Sequence, residues 1–330
     1  MRILGIETSC DETAASVVEV SRGRVHIRSH IVNSQIPVHR KYGGVVPEVA
    51  AREHVRNIVP VVDEALRRAG IVPNDLDSVA VTKQPGLLTS LLVGVETARA
   101  LAWAWSKPLI PVNHLAAHVA SGWLPQSGDT GSLPKFSFPI VALIASGGHT
   151  EFWSVARGFK TKHLGGTLDD AAGEAFDKVA SLLHLGYPGG PALAAAAQAG
   201  ESNVPLPRPM FGSKNLAMSF AGLKTAVAYG FAKRQYRTED VAASFQQAVV
   251  DVLAKKTLRV IEVTKAKTLF LVGGVAANDA LRERLRRETR GRVRFVVPQR
   301  RFCTDNATMV ALAAALMPKR RYTDPRTRPS

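Results

Sequence analysis

At 330 residues with 46% hydrophobic content, the chain is long enough for two domains and apolar enough to build a core in each, which excludes a disordered protein. No run of about eighteen apolar residues occurs, because Glu96 and Arg99 interrupt the stretch from Leu87 to Trp105, so no membrane span is expected. A net charge of +16 points toward a polyanion such as a nucleic-acid backbone, and two cysteines, Cys10 and Cys303, are too few for the disulfide framework of a small secreted domain. With Glu7 where a signal peptide needs an apolar core, a cytoplasmic protein is expected.

Residues 2–20 (RILGIETSCDETAASVVEV) read as apolar strand, polar turn and apolar strand. Asp11 and Glu12 in that turn offer carboxylates for proton transfer, although Asp is at home in any turn. Val49, Val55, Ile58, Val62, Ala65 and Leu66 recur at helical spacing and predict a helix over 45–69, followed by a strand over 76–81. Gln84-Pro85-Gly86-Leu87 turns into a helix ending near Trp105, and 109–112 is a further strand. The next helix, opened by NHLAAH, places His114 and His118 one turn apart on one face, where two imidazoles can close on a single metal ion. Two ligands do not hold a metal tightly. The distant segment Cys303-Thr304-Asp305-Asn306, after the strand end at Val296-Val297-Pro298, is the one equipped to complete a two-histidine, one-carboxylate set with open coordination positions. Position 115 is leucine, so the metallopeptidase signature HExxH is absent.

Residues 125–135 (PQSGDTGSLPK) read as a linker, and 140–155 (IVALIASGGHTEFWSV) repeat the strand-turn-strand plan of the N-terminus, which predicts a duplicated α/β lobe. The first lobe is expected over 1–130, completed by a C-terminal helix at about 305–318; the second over 131–304; and 319–330 is a basic tail. Thr167 and Asp170 read as a capping-box start to a helix that lines up Asp170, Glu174 and Asp177, three carboxylates needing a ribose, a metal or a basic partner opposite them. Ser146-Gly147-Gly148, Gly189-Gly190 and Gly273-Gly274 are glycine-bearing turns able to present bare amides to a nucleotide, and only the last is expected to run straight into a helix. Neither a P-loop nor GxGxxG occurs. A long helix over 241–263 and a strand over 268–272 precede a cluster of arginines from Arg282 to Arg294; for Arg282, Arg286 and Arg290 the alternative to phosphate contact is an ordinary solvated helix face.

Taken together and in order, GIETSCDETAASVV, YGGVVPEVAAREH, NHLAAH, ASGGHTEF, GTLDDAAGEAFDKVA, LGYPGGP, SFAGLKTAV, LVGGVAAN and CTDNATM resemble the TsaD/Gcp family of tRNA threonylcarbamoyltransferases, in its bacterial or organellar form, over about residues 3–315. The resemblance implies an actin-like, Hsp70-type ATPase fold (ASKHA) of two RNase-H-like lobes. It also implies transfer of a threonylcarbamoyl group from threonylcarbamoyl-AMP to the N6 amine of adenosine at tRNA position 37, in tRNAs reading codons that begin with A. Carried across by motif, His114, His118 and Asp305 correspond to ligands of one divalent ion, Fe(2+) before Zn(2+). Ile144, Ala145, Ser146, Gly147 and Gly148 correspond to the phosphate-side contact, and Asp177, Gly190 and Asn278 to contacts with ribose and adenine. Asp11, then Glu12 or His149, is the expected base for the attacking amine.

The partners implied are tRNA, an inactive paralogue (TsaB) docking on the first lobe, an ATPase (TsaE) and an upstream threonylcarbamoyl-AMP synthase, with a homodimer left open. The same fold also houses metal-dependent ATPases, kinase-like enzymes and non-catalytic scaffolds. A scaffold paralogue is expected to lack the metal ligands that this chain keeps. Two positions depart from the family pattern: Gln84, usually glycine, and Gly166, often glutamate.

Overall fold

The apolar runs on either side of the first turn pair antiparallel, from Arg2 opposite Glu19 to Glu7 opposite Ala14, and begin the first of two sheets. The structure, a computed structural model, describes residues 1–232 and 236–318. Two compact units are present, Met1–Lys135 together with the chain from Pro298 onward, and Phe136–Val297. In chain order the first holds β1 (Arg2–Glu7), β2 (Glu12–Ser21), β3 (Arg24–Ile27), β4 (Ile31–Ser34), α1 (Ile36–His39), α2 (Pro47–Ala69), β5 (Ser78–Gln84), α3 (Leu88–Ala104), β6 (Leu109–Asn113), α4 (His114–Ala120) and β7 (Thr130–Ser132). The second holds β8 (Ile140–Ala145), β9 (Thr150–Ala156), β10 (Lys160–Gly166), α5 (Ala172–Leu182), α6 (Gly189–Ala197), α7 (Ala221–Ala232), α8 (Thr238–Thr264), β11 (Thr268–Val272), α9 (Asp279–Thr289) and β12 (Arg294–Val296). The chain then returns to the first unit with α10 (Ala307–Leu316).

The duplication read from the sequence is real. In the first sheet β3-β2-β1 is an antiparallel meander, and β5 and β6 extend it parallel to β1 on the other side. In the second, β10-β9-β8 and then β11 and β12 do the same. The first sheet adds β7 beside β3, inside the stretch read as a linker, and β4 beside β2.

Helix α2 follows the predicted span, but its buried stripe differs from the predicted one. His54 is fully buried and Val55 is 64% exposed, so the inward face runs through Ala50, His54, Ile58, Val61, Val62, Ala65 and Leu66. Three other expectations need correction. No side chain caps α5: Thr167 Oγ1 donates to the Asp170 carbonyl (2.9 Å), and Asp169 instead accepts from Phe220 N (2.8 Å) and Ala221 N (3.3 Å) at the start of α7. Gly189 opens α6 directly, whereas Gly274 begins a 3-10 turn (Gly274–Ala277) before α9, the reverse of the expected assignment. Arg282 is half-buried, its Nε donating to the Ala276 carbonyl, so it does not join the solvated face.

Helix α10 lies against β1 and β2 so closely that a Cβ on Gly5 would meet Ala307 O at 2.3 Å and Ala311 N at 2.9 Å. Thr308, in its first turn, bonds Ser16 Oγ (2.8 Å) and His30 Nδ1 (2.8 Å). Gly5→Ala is therefore expected to push α10 off the sheet and cost about 1–3 kcal/mol or more, seen as a lowered thermal midpoint. An unchanged midpoint would refute the close packing.

Candidate active site

Strand β6 ends at Asn113, whose Oδ1 accepts from Ala116 N (3.0 Å) and so caps α4 at once. Every residue of α4 is buried, including His114 (5%) and His118 (0%). The other half of the site arrives with α10. Asn306 caps that helix through Met309 N (3.0 Å) and donates to the Thr304 carbonyl (2.7 Å), which fixes the backbone around Asp305. As expected, Asp305 meets the two histidines: its Oδ1 lies 3.1 Å from His118 Nε2 and 3.5 Å from His114 Nε2. One ligand atom from each residue falls within 4.8 Å of the others.

Sequence reasoning missed the support behind this triad. Glu7, at the end of β1, is fully buried, and its Oε2 receives His114 Nδ1 (3.1 Å) and Thr82 Oγ1 (2.6 Å). Its Oε1 accepts from Ser9 N (2.6 Å), and Ser9 Oγ lies 3.2 Å from His114 Nδ1. A carboxylate behind an imidazole whose other nitrogen faces a metal position is the usual outer support of a metal ligand. Among the described residues His118 Nδ1 is buried without a hydrogen-bond partner, so Asp305 supplies that ring's polar contact. Two imidazoles and one carboxylate, braced from behind by Glu7, fit a divalent ion of the iron or zinc type.

The electrostatics alternate. Burial works against a charge on His114, but the carboxylates of Asp305 and Glu7 outweigh it and push its pKa up to about 9. Burial penalises the charge on Glu7 too, yet His114 holds its carboxyl below the usual range. His118 goes the other way: burial lowers its pKa, and the hydrogen bond to Asp305 only partly offsets this.

Beside the triad, burial and then the neighbouring charges of Asp11 and Asp305 raise the Glu12 carboxyl well above its ordinary value. Ser34 Oγ donates to Glu12 Oε1 (3.2 Å). Cys10 and Cys303 are both free thiols, and burial raises the Cys10 thiol, which disfavours a thiolate ligand.

In the second unit the residues expected to meet the nucleotide are spread over the end of β8, the turn after it, α5, α6 and the cap of α9. Ile144 and Ala145 close β8, Ser146 to His149 form its turn into β9, and Asn278 caps α9 through Leu281 N (3.0 Å) while donating to Gln246 Oε1 (2.8 Å). Asp177 Oδ1 accepts from Gly189 N (2.8 Å) and Gly190 N (3.3 Å). The carboxylate stripe on α5 is thus balanced within the chain, since Lys178 Nζ also lies 2.9 Å from Asp170 and 2.7 Å from Glu174. A Cβ at Gly147, Gly148 or Gly190 would meet nothing within 4 Å, so no packing demands glycine there and the bare backbone is open to a ligand. Gly166 is the opposite case. A Cβ there would strike Thr150 O at 2.7 Å, so strand β9 leaves no room for the glutamate common in the family.

A family model described as TsaD, tRNA N6-adenosine threonylcarbamoyltransferase, matches residues 26–312. The tRNA N6-adenosine threonylcarbamoyltransferase of Persephonella marina is 46% identical over 316 residues, covering 94% of this chain and 88% of that protein. That of Sorangium cellulosum is 49% identical over 330 residues, covering 96% and 91%. Among solved structures, HypF of T. kodakarensis has a TM-score of 0.61 at 16% identity, covering 96% of this chain and 47% of that one. The activator of 2-hydroxyisocaproyl-CoA dehydratase from Clostridium difficile, with bound ADPNP, has a TM-score of 0.53 at 15% identity, covering 96% and 93%. At such identities the structures establish the fold alone, the actin-like, Hsp70-type one. The family match spans most of the sequence and the relatives nearly all of it, and on that footing the chain belongs to the TsaD family of tRNA N6-adenosine threonylcarbamoyltransferases.

Proposed function

We propose that this chain transfers the threonylcarbamoyl group of threonylcarbamoyl-AMP to the N6 amine of adenosine 37 in tRNAs reading codons that begin with A. The observation that carries the reading is the meeting of His114, His118 and Asp305 beside a turn bearing Asp11 and Glu12. A bond forms between the amine nitrogen and the carbamoyl carbon, the mixed-anhydride bond to phosphate breaks, AMP leaves, and the amine gives up a proton. His114, His118 and Asp305 would hold the divalent ion, iron before zinc, which supplies Lewis acidity toward a carbonyl oxygen. Asp11, in the turn beside the triad, is the acceptor for the amine proton, with Glu12 or His149 the alternative. The bare backbone of Gly147, Gly148 and Gly190 leaves room for the adenylate, with Ile144 to Ser146, Asp177 and Asn278 around it.

Two surfaces suit the partners. On the first unit, Val55 and Val59 of α2 and Leu88 and Leu92 of α3 are exposed apolar side chains, which suits docking of a protein partner such as the paralogue TsaB. TsaE and an upstream threonylcarbamoyl-AMP synthase complete the expected set. On the second unit, Arg286, Arg287, Arg290 and Arg292 are exposed and have no ion-pair partner among the described residues, whereas Arg284 is paired with Asp251 and Glu288. They follow Asn278 along α9 and beyond its end, a stripe suited to a tRNA phosphate backbone. The basic tail at 319–330 lies outside the described residues.

Incubation with tRNA, ATP, bicarbonate, threonine and an adenylate-forming enzyme is expected to yield a threonine-dependent modified adenosine on nucleoside analysis. ADP release without it would favour a kinase-like or ATPase enzyme of the same fold. Asp305→Ala and His118→Ala are expected to abolish copurifying metal, and Glu7→Gln to weaken metal affinity roughly 10–100-fold in chelator competition. Full metal content in Asp305→Ala would overturn the site. Charge reversal at Arg286 and Arg287 is expected to weaken tRNA binding and flatten its log–log salt dependence by about 1 unit or more; an unchanged slope would remove α9 from the tRNA path.

A further inference from the structure

The turn that carries Asp11 and Glu12 is clamped by its carbonyls, three in succession, each by a different element. Leu87 N, at the start of α3, donates to Ser9 O (2.8 Å). His54 Nε2, from α2, donates to Cys10 O (2.9 Å). Gln35 N, ahead of α1, donates to Asp11 O (3.0 Å). The fit is tight on the α3 side, where a Cβ on Gly86 would come within 2.6 Å of Ser9 O.

Of the three, only His54 uses a side chain, and its chemistry is determined. A carbonyl can only accept, so Nε2 carries the hydrogen, and Nδ1 must then accept from Thr13 Oγ1 (2.8 Å) and Gln35 Nε2 (3.3 Å). Gln35 Nε2 also lies 3.3 Å from the Ala50 carbonyl, and its Oε1 accepts from His39 Nε2 (3.1 Å). The ring is fully buried, and burial favours the neutral form this pattern needs. A buried imidazole on α2, both of whose nitrogens are already hydrogen-bonded and one of which is aimed at the backbone of the turn, acts on the position of its neighbours.

We propose that His54 is a positioning residue for the transfer reaction: through its Nε2–H bond to the Cys10 carbonyl it sets where the Asp11 and Glu12 carboxylates and the Ser9 hydroxyl stand. The inference rests on the proposed transferase function. It predicts a loss in turnover without a loss in substrate binding or metal. Gln, whose Nε2 can occupy the place of the imidazole Nε2–H, keeps the bond, and Leu fills the space without it.

The experiment compares wild type, His54→Gln and His54→Leu for kcat and KM in tRNA modification, for metal content, and for amide hydrogen exchange across residues 8–14. The expected result is that His54→Leu lowers kcat at least tenfold with KM for tRNA and metal content within about twofold. The same variant speeds exchange in the turn, and His54→Gln restores both. Thr13→Val, which removes the shorter of the two bonds to Nδ1 at nearly the same side-chain volume, moves both in the same direction by less and stands in if His54→Leu does not fold. Equal losses in the Gln and Leu variants, a change in KM or metal alone, or unchanged exchange would overturn the proposal. If wild type modifies no tRNA, the transferase reading fails instead, and exchange still decides whether His54 holds the turn.

Discussion

The candidate site exists because a helix from the end of the chain is pressed onto the first strand. Gly5 removes the side chain that would keep α10 away, and Thr308 ties that helix to β2 and His30. Only then does Asp305, one residue before the α10 cap, come within reach of histidines nearly two hundred positions earlier. Without that contact α4 would still form, capped by Asn113, but its two imidazoles would face an incomplete set of donors.

Charge explains why the arrangement tolerates burial. A lone carboxylate or imidazolium in this environment would be costly, but Glu7, His114 and Asp305 alternate in sign, and Thr82 and the Ser9 amide satisfy the remaining lone pairs of Glu7. Such a row of buried ionisable groups contributes little to stability compared with a well-packed apolar core. What it does is hold two rings in one orientation and leave His118 dependent on Asp305.

Much of this was legible in the sequence. Apolar runs flanking two polar turns revealed the duplicated hairpins, and the spacing of His114 and His118 put them on one helix face. Asp305 was recoverable because the segment after a strand end carried the chemistry a third ligand requires. Glu7 was not: an acidic residue inside an apolar run looks like a strand end facing water, and only the closeness of α4 turns it inward. His54 was hidden by its neighbour, since periodicity weights Val55 as the core residue. The polar residue goes inside because the Cys10 carbonyl and the Thr13 hydroxyl are waiting for it. The acidic stripe of Asp170, Glu174 and Asp177 does have the positive and hydrogen-bonding groups it needs, but they come from within the chain: Lys178 pairs with the first two, and the Gly189 and Gly190 amides bond the third.

The first unit is assembled from two separate stretches of the chain, with the whole of the second inserted between β7 and α10. A ribosome therefore releases the inserted unit entire before it delivers the helix that covers β1. The nascent first sheet has to wait with that apolar face bare, and His114, His118 and Asp305 come together only after the inserted unit has been made. A chain cut short before Asp305 and α10 would carry both imidazoles and lack the carboxylate that completes the set of donors.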